Sequence, residues 1–553
     1  MGLYEQAIIQ AEKGLAIDSN SIITNRAMGF ALYRSGRSKE AVPFYEKAIR
    51  LDPFSTITLR QLGQAYFLSG QNEKAIETCE KLIDRTPQYL PGHLILAAGY
   101  SAAGYIERAN AATQTILKMN PKFTLETYSK KLRFKNPADK NLIISNLLKA
   151  GLPEKPSLPL PDKQSIAVLA FDNMSDDPKQ EYFSDGISES IIATLSKIDQ
   201  LFVIARNSSF TYKGKAVKVQ KIAEDLGVRY ILEGSVQKTE DRVRVTAQLI
   251  DALEGHHLWA ERYDRDIKDI FDLQDEIVMK IVTALQIKIT AGEEFRFLEN
   301  EFTNFNTYLK FLEAASGLEK GTNESLMRAG KLAQEIVDMK PESSVGYRLL
   351  GWYHKELGQR GISPRENYKK AFKFAQKALS LNENQALAHA LMCSLYSSIG
   401  KHEKAIAAGK RAVELEPNGS QIYGYLGNAL CFNEQYDQGI IYTKKGLRLD
   451  PVPHAKYFIV LGRCYYANGQ YEEALIELEK GVKLMPDHSG FHVLLAIVYG
   501  LLDREKEAKA SAKKALELSP IWSISFVSKT WLYKTKKNLP MVTDAMRKAG
   551  FPE

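Results

Sequence analysis

The segment AVPFYEKAIRLDP at residues 41–53 predicts an amphipathic helix that is stopped by its final proline. The same pattern occurs three times at intervals of 34 residues. Its small residue recurs as Ala41, Ala75 and Ala109, and its proline recurs as Pro53, Pro87 and Pro121. Small residues let two antiparallel helices approach closely, and a proline ends the second helix because it lacks the N–H that the next turn needs. The spacing therefore predicts about three stacked helix pairs within residues 1–120.

The same spacing returns near the other end of the chain. Its small residues step by 34 or 35 positions, and each proline follows twelve residues behind. These residues are Ala371, Ala405, Gly439, Ala474 and Ala508, with Pro417, Pro451, Pro486 and Pro520. Period and positions resemble the tetratricopeptide repeat (TPR), in which paired helices stack into an α-solenoid. We expect five or six such repeats at about residues 302–520.

Each set of repeats ends in a related segment. Residues 121–154 read PKFTLETYSKKLRFKNPADKNLIISNLLKAGLPE, and residues 520–553 read PIWSISFVSKTWLYKTKKNLPMVTDAMRKAGFPE. They align without a gap, and a solenoid needs a terminal unit that covers its last apolar face. We therefore predict that each array has its own cap. Ala7 lies 34 positions before Ala41, so the first array is expected to begin at a second helix, with an apolar face open or more chain upstream.

Residues 165–292 predict a small α/β domain that follows a proline-rich linker at residues 155–164. Its segments SIAVLAF, LFVIA, RYILEGSVQK, DRVRVTAQLID and HHLWAERYD are typical of strands, and short polar turns join the last three. SDGISESIIATLSKI predicts a helix capped by Ser184 or Asp185, and KVQKIAEDLG predicts a helix that ends at Gly227. A longer helix is predicted at about 268–290. The order βαβαβββα indicates a mixed sheet.

Together these segments predict a mostly α protein in which two TPR α-solenoid arrays flank a small α/β domain with a mixed sheet. The predicted boundaries are residues 1–154 and 302–553 for the capped arrays. On the central hairpin of the α/β domain, Val243, Val245, Ala247 and Leu249 are expected to face the helices. The opposite face carries Arg242, Arg244, Thr246 and Gln248, and it is either a solvated surface or a docking face for an array or a partner.

Residues 183–277, which begin FSDGISES and end FDLQDEI, resemble the middle domain of bacterial adenylate/guanylate cyclase-associated TPR proteins. That domain is itself similar to the amino-terminal domain of TolB. The resemblance covers about residues 165–553, and residues 1–154 resemble another copy of the family's TPR tail. It implies a place in cyclase-type signalling. In that family a class III cyclase domain precedes the α/β domain, whereas every segment of this chain is already assigned, so cyclase activity is not expected.

Other catalytic signatures do not occur in the sequence, which contains no GxGxxG, GxxxxGK[ST], HExxH or GxSxG motif. We therefore expect no catalytic residue, no cofactor and no metal site, and we interpret His256 and His257 as ordinary strand residues. One loop, ARNSSFTYKGK, concentrates polar and basic residues after a strand. They are Arg206, Ser208, Ser209, Lys213 and Lys215. This loop is either an anion-binding site or a conformationally demanding connection.

Polar side chains on the groove-facing side of the first helices are candidate partner-binding residues. Those of the first array are Arg26, Arg60 and Gln64, and those of the second are Gln421, Asn428, Lys456, Arg463 and Tyr466. They make each groove mildly basic, which favours acidic peptide segments through charge-assisted hydrogen bonds. Leu94 stands where a third basic residue would help, so no clamp for two carboxylates is expected. The alternative is a set of exposed polar residues without a ligand.

Composition and charge limit where the protein could be located in the cell and what kind of partner it could bind. The net charge of +8 arises from 74 basic and 66 acidic residues spread along the chain, which does not indicate nucleic-acid binding. Without a signal peptide or a long apolar run, the sequence predicts a cytoplasmic protein with no membrane span, and four separated cysteines agree with a reducing compartment.

The hypothesis is a non-enzymatic protein-interaction scaffold of a bacterial signalling system. The alternative is the regulatory tail of a class III adenylate/guanylate cyclase whose catalytic domain is upstream or on a partner chain. A weaker alternative is an envelope-associated TolB-like protein.

Overall fold

The computed structural model describes residues 3–154, 158–175, 177–239, 241–285, 305–320 and 322–553. The chain divides into a first unit, Met1–Ser157, and a second unit, Leu158–Glu553. Some predicted boundaries lie outside the described residues. These are the start of the linker at 155–157, the end of the α/β domain at 286–292 and the start of the second array at 302–304.

The described residues of the first unit form helices and connecting loops, with no strand among them. Its helices are α1 (Leu3–Ile17), α2 (Ile22–Arg34), α3 (Ser38–Leu51), α4 (Thr56–Leu68), α5 (Asn72–Arg85), α6 (Leu90–Ala103), α7 (Ile106–Met119), α8 (Leu125–Lys131) and α9 (Pro137–Lys149). Helices α2 to α7 form three antiparallel hairpins that stack on one another. The predicted small residues Ala41, Ala75 and Ala109 are fully buried between the helices. The paired helices lie too close together for larger side chains at such positions. On the neighbouring helix, for example, a Cβ on Gly63 would lie 2.6 Å from Cys79 Sγ.

The second helix of each hairpin ends two residues before the predicted proline. Helix α3 stops at Leu51 and Pro53 follows after Asp52, which has φ −140° and ψ 89°. The ring of a proline disfavours helical geometry in the residue before it, so that residue becomes extended. The proline thus sets the end of the helix through its neighbour as well as through its own missing N–H.

The second unit begins with the α/β domain. Its strands are β1 (Gln164–Val168), β2 (Asp172–Asn173), β3 (Leu201–Val203), β4 (Tyr230–Lys238), β5 (Arg242–Asp251) and β6 (His256–Asp266). Its helices are α10 (Glu181–Leu195), α11 (Arg206–Ser209), α12 (Val219–Leu226) and α13 (Ile270–Ala284). The strand order is β3-β1-β4-β5-β6, with β2 paired to β4. Strand β1 pairs in parallel with β3 and β4, and β2 pairs in parallel with β4. Strand β5 pairs antiparallel with β4 and β6, so the predicted mixed sheet is confirmed.

One detail of this domain differs from the prediction, one agrees, and one lies partly outside the described residues. Helix α10 begins at Glu181 after the 3₁₀ turn Pro178–Gln180, so Ser184 and Asp185 lie inside the helix and do not cap it. The turn starts the helix early, which is the reason the capping prediction was wrong. Helix α12 ends at Gly227 as predicted, because that glycine adopts φ 64°, which favours glycine. Helix α13 ends at Ala284, and the predicted continuation over 286–290 lies outside the described residues.

The sheet carries helices on both faces at one end and on one face at the other. The four residues predicted to face the helices, Val243, Val245, Ala247 and Leu249, are fully buried in the core formed with α10 and α13. Helix α12 covers the opposite face beside β1 and β4. Farther along that face, Arg242 and Arg244 lie exposed and both donate to the Asp264 carboxylate. This part of the sheet is a polar surface.

The remaining helices of the second unit form the second array. They are α14 (Phe305–Lys320), α15 (Asn323–Met339), α16 (Ser344–Gln359), α17 (Pro364–Leu381), α18 (Ala386–Ser398), α19 (His402–Leu415), α20 (Ser420–Phe432), α21 (Tyr436–Leu449), α22 (Lys456–Ala467), α23 (Tyr471–Leu484), α24 (Ser489–Leu501), α25 (Glu505–Leu518), α26 (Ile524–Lys529) and α27 (Leu539–Ala549). Consecutive pairs are antiparallel hairpins, and the first helices of neighbouring hairpins also contact one another. Those first helices line the inner face of the array.

The two terminal segments fold alike within their own units. In the first unit the Leu125 N–H donates to the Pro153 carbonyl at 2.9 Å, and in the second the Ile524 N–H donates to the Pro552 carbonyl at 2.8 Å. Leu147 on α9 and Met546 on α27 are fully buried against the preceding hairpin. Each segment therefore covers the last apolar surface of its array, as a cap does.

Candidate protein-interaction grooves

The groove of the first array brings its three predicted residues together. Arg60 donates from Nη1 to Gln64 Oε1 at 3.4 Å, and Gln64 is buried. Burial raises the pKa of Tyr45 behind them, while the positive charges of Arg60, Arg34 and Arg26 act in the opposite direction. The same arginines therefore lie near one another on the inner face. The half-buried Arg26 has no hydrogen-bond partner for Nε among the described residues.

The end of this groove near the cap is closed. A cavity of about 10 Å³ remains where Tyr128 and Ile143 of the cap meet Gln64 and Leu94. The other end is open, because Ile23 and two further apolar side chains there are largely exposed. The exposed fractions are 75% for Ile23, 47% for Ile57 and 41% for Phe30. The open part of the groove thus combines arginines with apolar side chains.

The groove of the second array brings together residues from several hairpins. Arg463 donates from Nη1 to Asn428 Oδ1 at 3.4 Å, and its guanidinium lies 5.6 Å from the centre of the Phe432 ring. Lys456 and Gln421 are exposed on neighbouring first helices. Tyr466 is buried, and its hydroxyl lies 3.0 Å from the hydroxyl of Tyr533 in the cap. Four of the five predicted side chains therefore face the groove, and the cap holds the fifth.

Sequence reasoning missed a buried lysine in this groove. Lys355 on α16 is 3% exposed, and its Nζ donates to Glu356 Oε1 and Gln359 Oε1, both at 3.1 Å. The same Nζ lies 5.0 Å from the centre of the Trp352 ring. A signal existed, since Lys355 follows Gly351 by four residues as Tyr466 follows Gly462. The insertion QRGISPREN interrupts the period just beyond it and concealed that match.

The floor of this groove is positively charged. Burial lowers the pKa of Lys355, and the charge of Lys456 on α22 lowers it further, so the array brings these two lysines into electrostatic range. Burial also lowers the pKa of His488, with contributions from Arg463 and Lys456, which favours a neutral imidazole at pH 7. The carboxylate of Glu356 forms an ion pair with Lys355 at 3.1 Å. Lys456 and Arg463 thus add positive charge beside that ion pair.

The α/β domain docks on the second array through an edge of its sheet. Asn418, in the loop between α19 and α20, accepts from the Val203 N–H at 3.4 Å and donates to the Leu201 carbonyl at 2.9 Å. Nearby, Arg448 donates to the Gly227 carbonyl at 2.8 Å. The docking interface therefore includes strand β3 and the end of α12. The Arg242 face, which was predicted to be either a solvated surface or a docking face, does not make these contacts.

The predicted anion loop lies in this docking interface. Ser208 is buried, donates to Asp450 Oδ1 at 2.6 Å and accepts from the Val452 N–H at 2.7 Å. Arg206 pairs with Glu189 at 3.2 Å and with Glu319 at 2.7 Å.

The other three residues of the loop behave similarly, with one exception. Lys213 pairs with Glu181 and Asp185, and Ser209 is buried with its hydroxyl near backbone carbonyls, while Lys215 is exposed. An anion would have to displace the carboxylates that already pair with Arg206 and Lys213. The loop is therefore better interpreted as a conformationally demanding connection than as an anion-binding site.

Sequence models of the tetratricopeptide repeat match residues 26–89, 388–418, 455–488 and 490–521. The matches fall on helical hairpins of both arrays. These segments are tetratricopeptide repeats. The chain therefore presents TPR grooves on both sides of its α/β domain in sequence.

Two curated proteins show how the TPR chain relates to longer proteins. It is 42% identical over 237 residues to "Putative adenylate cyclase 3" of Rhizobium meliloti (strain 1021), covering 42% of this chain and 40% of that protein. It is 23% identical over 314 residues to the transcriptional regulator HilA of Salmonella typhimurium, covering 56% of this chain and 55% of that protein. The chain spans about half the length of the curated relatives it matches.

Solved structures of other proteins also align with this chain. The crystal structure of the APC/C heterotetramer Cut9–Hcn1 covers 99% of this chain and 93% of that chain at 14% identity, with a TM-score of 0.29. TTC0263, a thermophilic TPR protein of Thermus thermophilus, covers 32% and 96% at 22% identity, with a TM-score of 0.28. TM-scores of this size support no argument, so the TPR assignment rests on the sequence models and the hairpins.

The described residues offer neither a metal site nor a helix that could span a membrane. Within them, no group of three His, Cys, Asp or Glu side chains could hold a metal ion. His256 and His257 are exposed on β6, and His256 Nδ1 lies 3.5 Å from Glu254. No helix in the described ranges combines the length and the apolar character that a membrane crossing requires.

Proposed function

We propose that this chain is a non-enzymatic protein-interaction scaffold of a bacterial signalling system, acting in the cytoplasm. Its TPR grooves bind acidic segments of partner proteins. The observation that carries this proposal is that Lys456 and Arg463 add positive charge beside the buried Lys355–Glu356 ion pair on the floor of the second groove. Positive charge beyond that ion pair favours a ligand of opposite charge through electrostatic complementarity.

The chemistry of the groove supports an acidic segment over a neutral one. Hydrogen bonds between a cationic donor and a carboxylate are roughly twice as strong as neutral ones. Trp352 and Tyr425, whose rings lie 5.2 Å apart in the same array, supply flat apolar surface for the side chains between the acidic residues. A partner that alternates acidic and apolar residues fits both features.

The test is binding of a fluorescein-labelled peptide of alternating glutamate and leucine, measured by fluorescence anisotropy. Reversing the charge at Lys456 and Arg463 to glutamate is expected to weaken binding at least tenfold, because about two charge-assisted hydrogen bonds are lost. Lys513 on α25 is exposed and lies away from the inner face, so Lys513→Glu is the matched control. Equal weakening by the control, or no weakening by the double variant, would remove this groove as the binding site.

A second candidate is the regulatory part of a class III nucleotide cyclase whose catalytic domain is upstream or on a partner chain. It is favoured by the 42% identity to "Putative adenylate cyclase 3", and it includes the proposal that the α/β domain is a TolB-like module. The test is whether the purified chain changes the cyclic AMP output of a class III catalytic domain mixed with it. If the chain neither binds the catalytic domain nor changes its cyclic AMP output, the second candidate function fails and only the scaffold function remains.

A further inference from the structure

Each cap contains a connecting segment, here called the strap, that turns back along its array. The first strap is residues 132–136 and the second is residues 530–538. The first strap reaches α2, where the Lys135 N–H donates to the Arg34 carbonyl at 3.0 Å. The second reaches α20, where the Lys534 N–H donates to the Phe432 carbonyl at 2.8 Å. In both arrays the strap ends on the third hairpin before the cap.

These two contacts occupy equivalent positions in the sequence. The gapless alignment of the caps places Lys135 opposite Lys534, since both pairs of ends are 399 residues apart. Arg34 and Phe432 both follow the small glycine of their helix by five residues, after Gly29 and Gly427. The same backbone hydrogen bond is therefore made twice, although the side chains on the receiving helix differ.

An aromatic residue precedes the lysine in each strap. Phe134 lies 5.0 Å from the Arg34 guanidinium and packs edge-on to Tyr33 at 5.2 Å. Tyr533 packs edge-on to Phe432 at 5.3 Å and pairs with the Tyr466 hydroxyl. A cation–π contact in one array and an aromatic contact in the other hold the ring at the same place.

The lysine side chain meets an acidic residue in each array. Lys135 pairs with Glu5, and Lys534 pairs with Glu403 at 3.1 Å. In the second array Glu434 adds a further acceptor, which receives the Thr535 N–H at 2.8 Å. The surface that receives the strap thus offers a place for an aromatic ring beside a carboxylate. It is suited to an extended segment that contains an aromatic residue followed by lysine.

The lysine of each strap and the residue after it are exposed and are held by polar contacts. The lysine pairs are open to solvent, with Lys534 and Glu403 exposed by 51% and 75%, and exposed ion pairs add little to stability. The second strap has no helix or strand between α26 and α27. Its contacts with the hairpins include the Lys534 backbone hydrogen bond, the Tyr533 ring and the Glu434 contacts. The Asn538 amide also donates to the Tyr436 hydroxyl at 3.3 Å and to the Ala467 carbonyl at 3.2 Å. These contacts join the strap to the hairpins and do not hold the hairpins together, so they can break while the hairpins stay folded.

We infer that each TPR array has a strap site for an extended aromatic–lysine segment, that its own strap is the resident occupant, and that a partner with the same pair displaces it. The inference rests on the proposed function, because the second strap covers Tyr466 and lies within electrostatic range of Arg463 in the groove. Displacing the strap therefore exposes the basic floor beside it. A partner can therefore reach more of that floor when the strap is displaced than when the strap is in place.

The test uses a fluorescein-labelled synthetic peptide with the sequence of residues 529–539, KTWLYKTKKNL, added to the full chain. Tyr533→Ala weakens the resident strap, so this variant is expected to bind the peptide about tenfold tighter than the natural chain does, because the loss of a ring contact and a hydrogen bond frees the site. Lys537 is exposed in the same strap, and Lys537→Ala should bind like the natural chain. A peptide with alanine in place of its tyrosine should bind about tenfold more weakly.

A second variant and a second readout keep the test decisive if Tyr533→Ala lowers the melting temperature. Tyr533→Phe retains the ring and loses the contact with Tyr466, and about threefold tighter peptide binding is expected. Hydrogen exchange of the Lys534 amide reports strap release without any ligand, and it should be faster in both variants. A folded variant that binds no better than the natural chain, or binds the alanine peptide equally well, overturns the inference.

The same experiments separate this inference from the proposed function. If the strap peptide binds while the glutamate–leucine peptide does not, the strap site stands and the acidic-segment function fails. If the acidic peptide binds equally well to the natural chain and to Tyr533→Ala, with unchanged exchange at Lys534, the groove function stands and the strap inference fails.

Discussion

The side-chain amide of Asn418 donates to the carbonyl oxygen of Leu201 at 2.9 Å, and the two residues are 217 positions apart. The same amide nitrogen also donates to the carbonyls of Ser196 and Ile198, and its oxygen accepts from Val203. Strand β3 lies at the edge of the sheet, where backbone groups lack a neighbouring strand. An asparagine in a repeat loop therefore supplies hydrogen-bond partners for the backbone groups of this edge strand.

Replacing Asn418 with alanine is expected to lower the free energy of unfolding of the second unit by about 3 kcal/mol, because several buried backbone groups lose their partner. Urea unfolding followed by tryptophan fluorescence measures this unit alone, since Trp259, Trp352, Trp522 and Trp531 all lie in it.

Asn384 is the matched control for this substitution. It stands 34 residues earlier in the equivalent loop, where it is exposed and accepts from Arg411 at 3.0 Å. Asn384→Ala should change stability by less than about 0.5 kcal/mol. Equal losses in the two variants would show that Asn418 acts through its loop and not through the sheet edge.

Burial raises the pKa of the Asp450 carboxyl from 3.8 to about 6, and Ser208 donates a hydrogen bond that opposes the shift. Between about pH 4 and pH 6 the folded unit keeps a proton that the unfolded chain releases, so the free energy of unfolding falls as pH rises through this range. The contribution is about 3 kcal/mol, fully present below pH 4 and lost above pH 6.

Asp450→Asn should remove this component. The difference in unfolding free energy between the natural chain and the variant is expected to change by about 3 kcal/mol between pH 4 and pH 6.5, again from urea unfolding by tryptophan fluorescence. Other titrating groups, including Glu189, are present in both proteins and cancel. A difference that stays constant across this pH range would mean that Asp450 keeps an ordinary pKa.

Reversing Arg26 and Arg60 to glutamate should weaken capture of an acidic peptide by the first array about tenfold while the hairpins stay folded, since both side chains lie at the inner face and are not fully buried. Anisotropy measures the binding and circular dichroism measures the helix content. Lys39 is exposed on α3, so Lys39→Glu changes the charge without touching the groove. Unchanged capture by the double variant would exclude this groove.

Incubating the purified chain with ATP or GTP and Mg²⁺ or Mn²⁺ should yield no cyclic nucleotide above a preparation from cells carrying an empty vector. The reason is that residues 1–154, 165–292 and 302–553 are predicted to form repeats, caps and the α/β domain, and the segments between them are too short for a class III catalytic fold. Mass spectrometry of the reaction detects cyclic AMP or cyclic GMP directly. Metal-dependent product that survives repurification would contradict the non-enzymatic function.

The helices and strands could be predicted because their signals are local. Ala41, Ala75 and Ala109 specify close helix contacts within one hairpin, and β5 shows its buried side through strict alternation. The start of α10 could not be predicted from Ser184 or Asp185, because a preceding 3₁₀ turn competes with the cap signal.

Only some of the groove residues could be predicted, because only some of them depend on local repeat positions. Repeat positions place Lys456 and Arg463 on the inner face, but the burial of Lys355 depends on how α16 packs against distant hairpins. The assignment of Tyr466 to a groove missed that the cap would cover it.

The sequence by itself determined the two arrays and their caps, because the spacing of small residues and prolines acts over about one repeat. It also determined the succession of helices and main strands along the chain of the α/β domain, because alternation and turn residues are local signals. Only the tertiary structure decided that the Ser208 loop faces Asp450 and that each strap returns to an earlier hairpin. The loop contacts join residues more than 200 positions apart, and the strap contacts join residues about 100 positions apart. Such contacts depend on how whole elements pack, and no local pattern of residues encodes that packing.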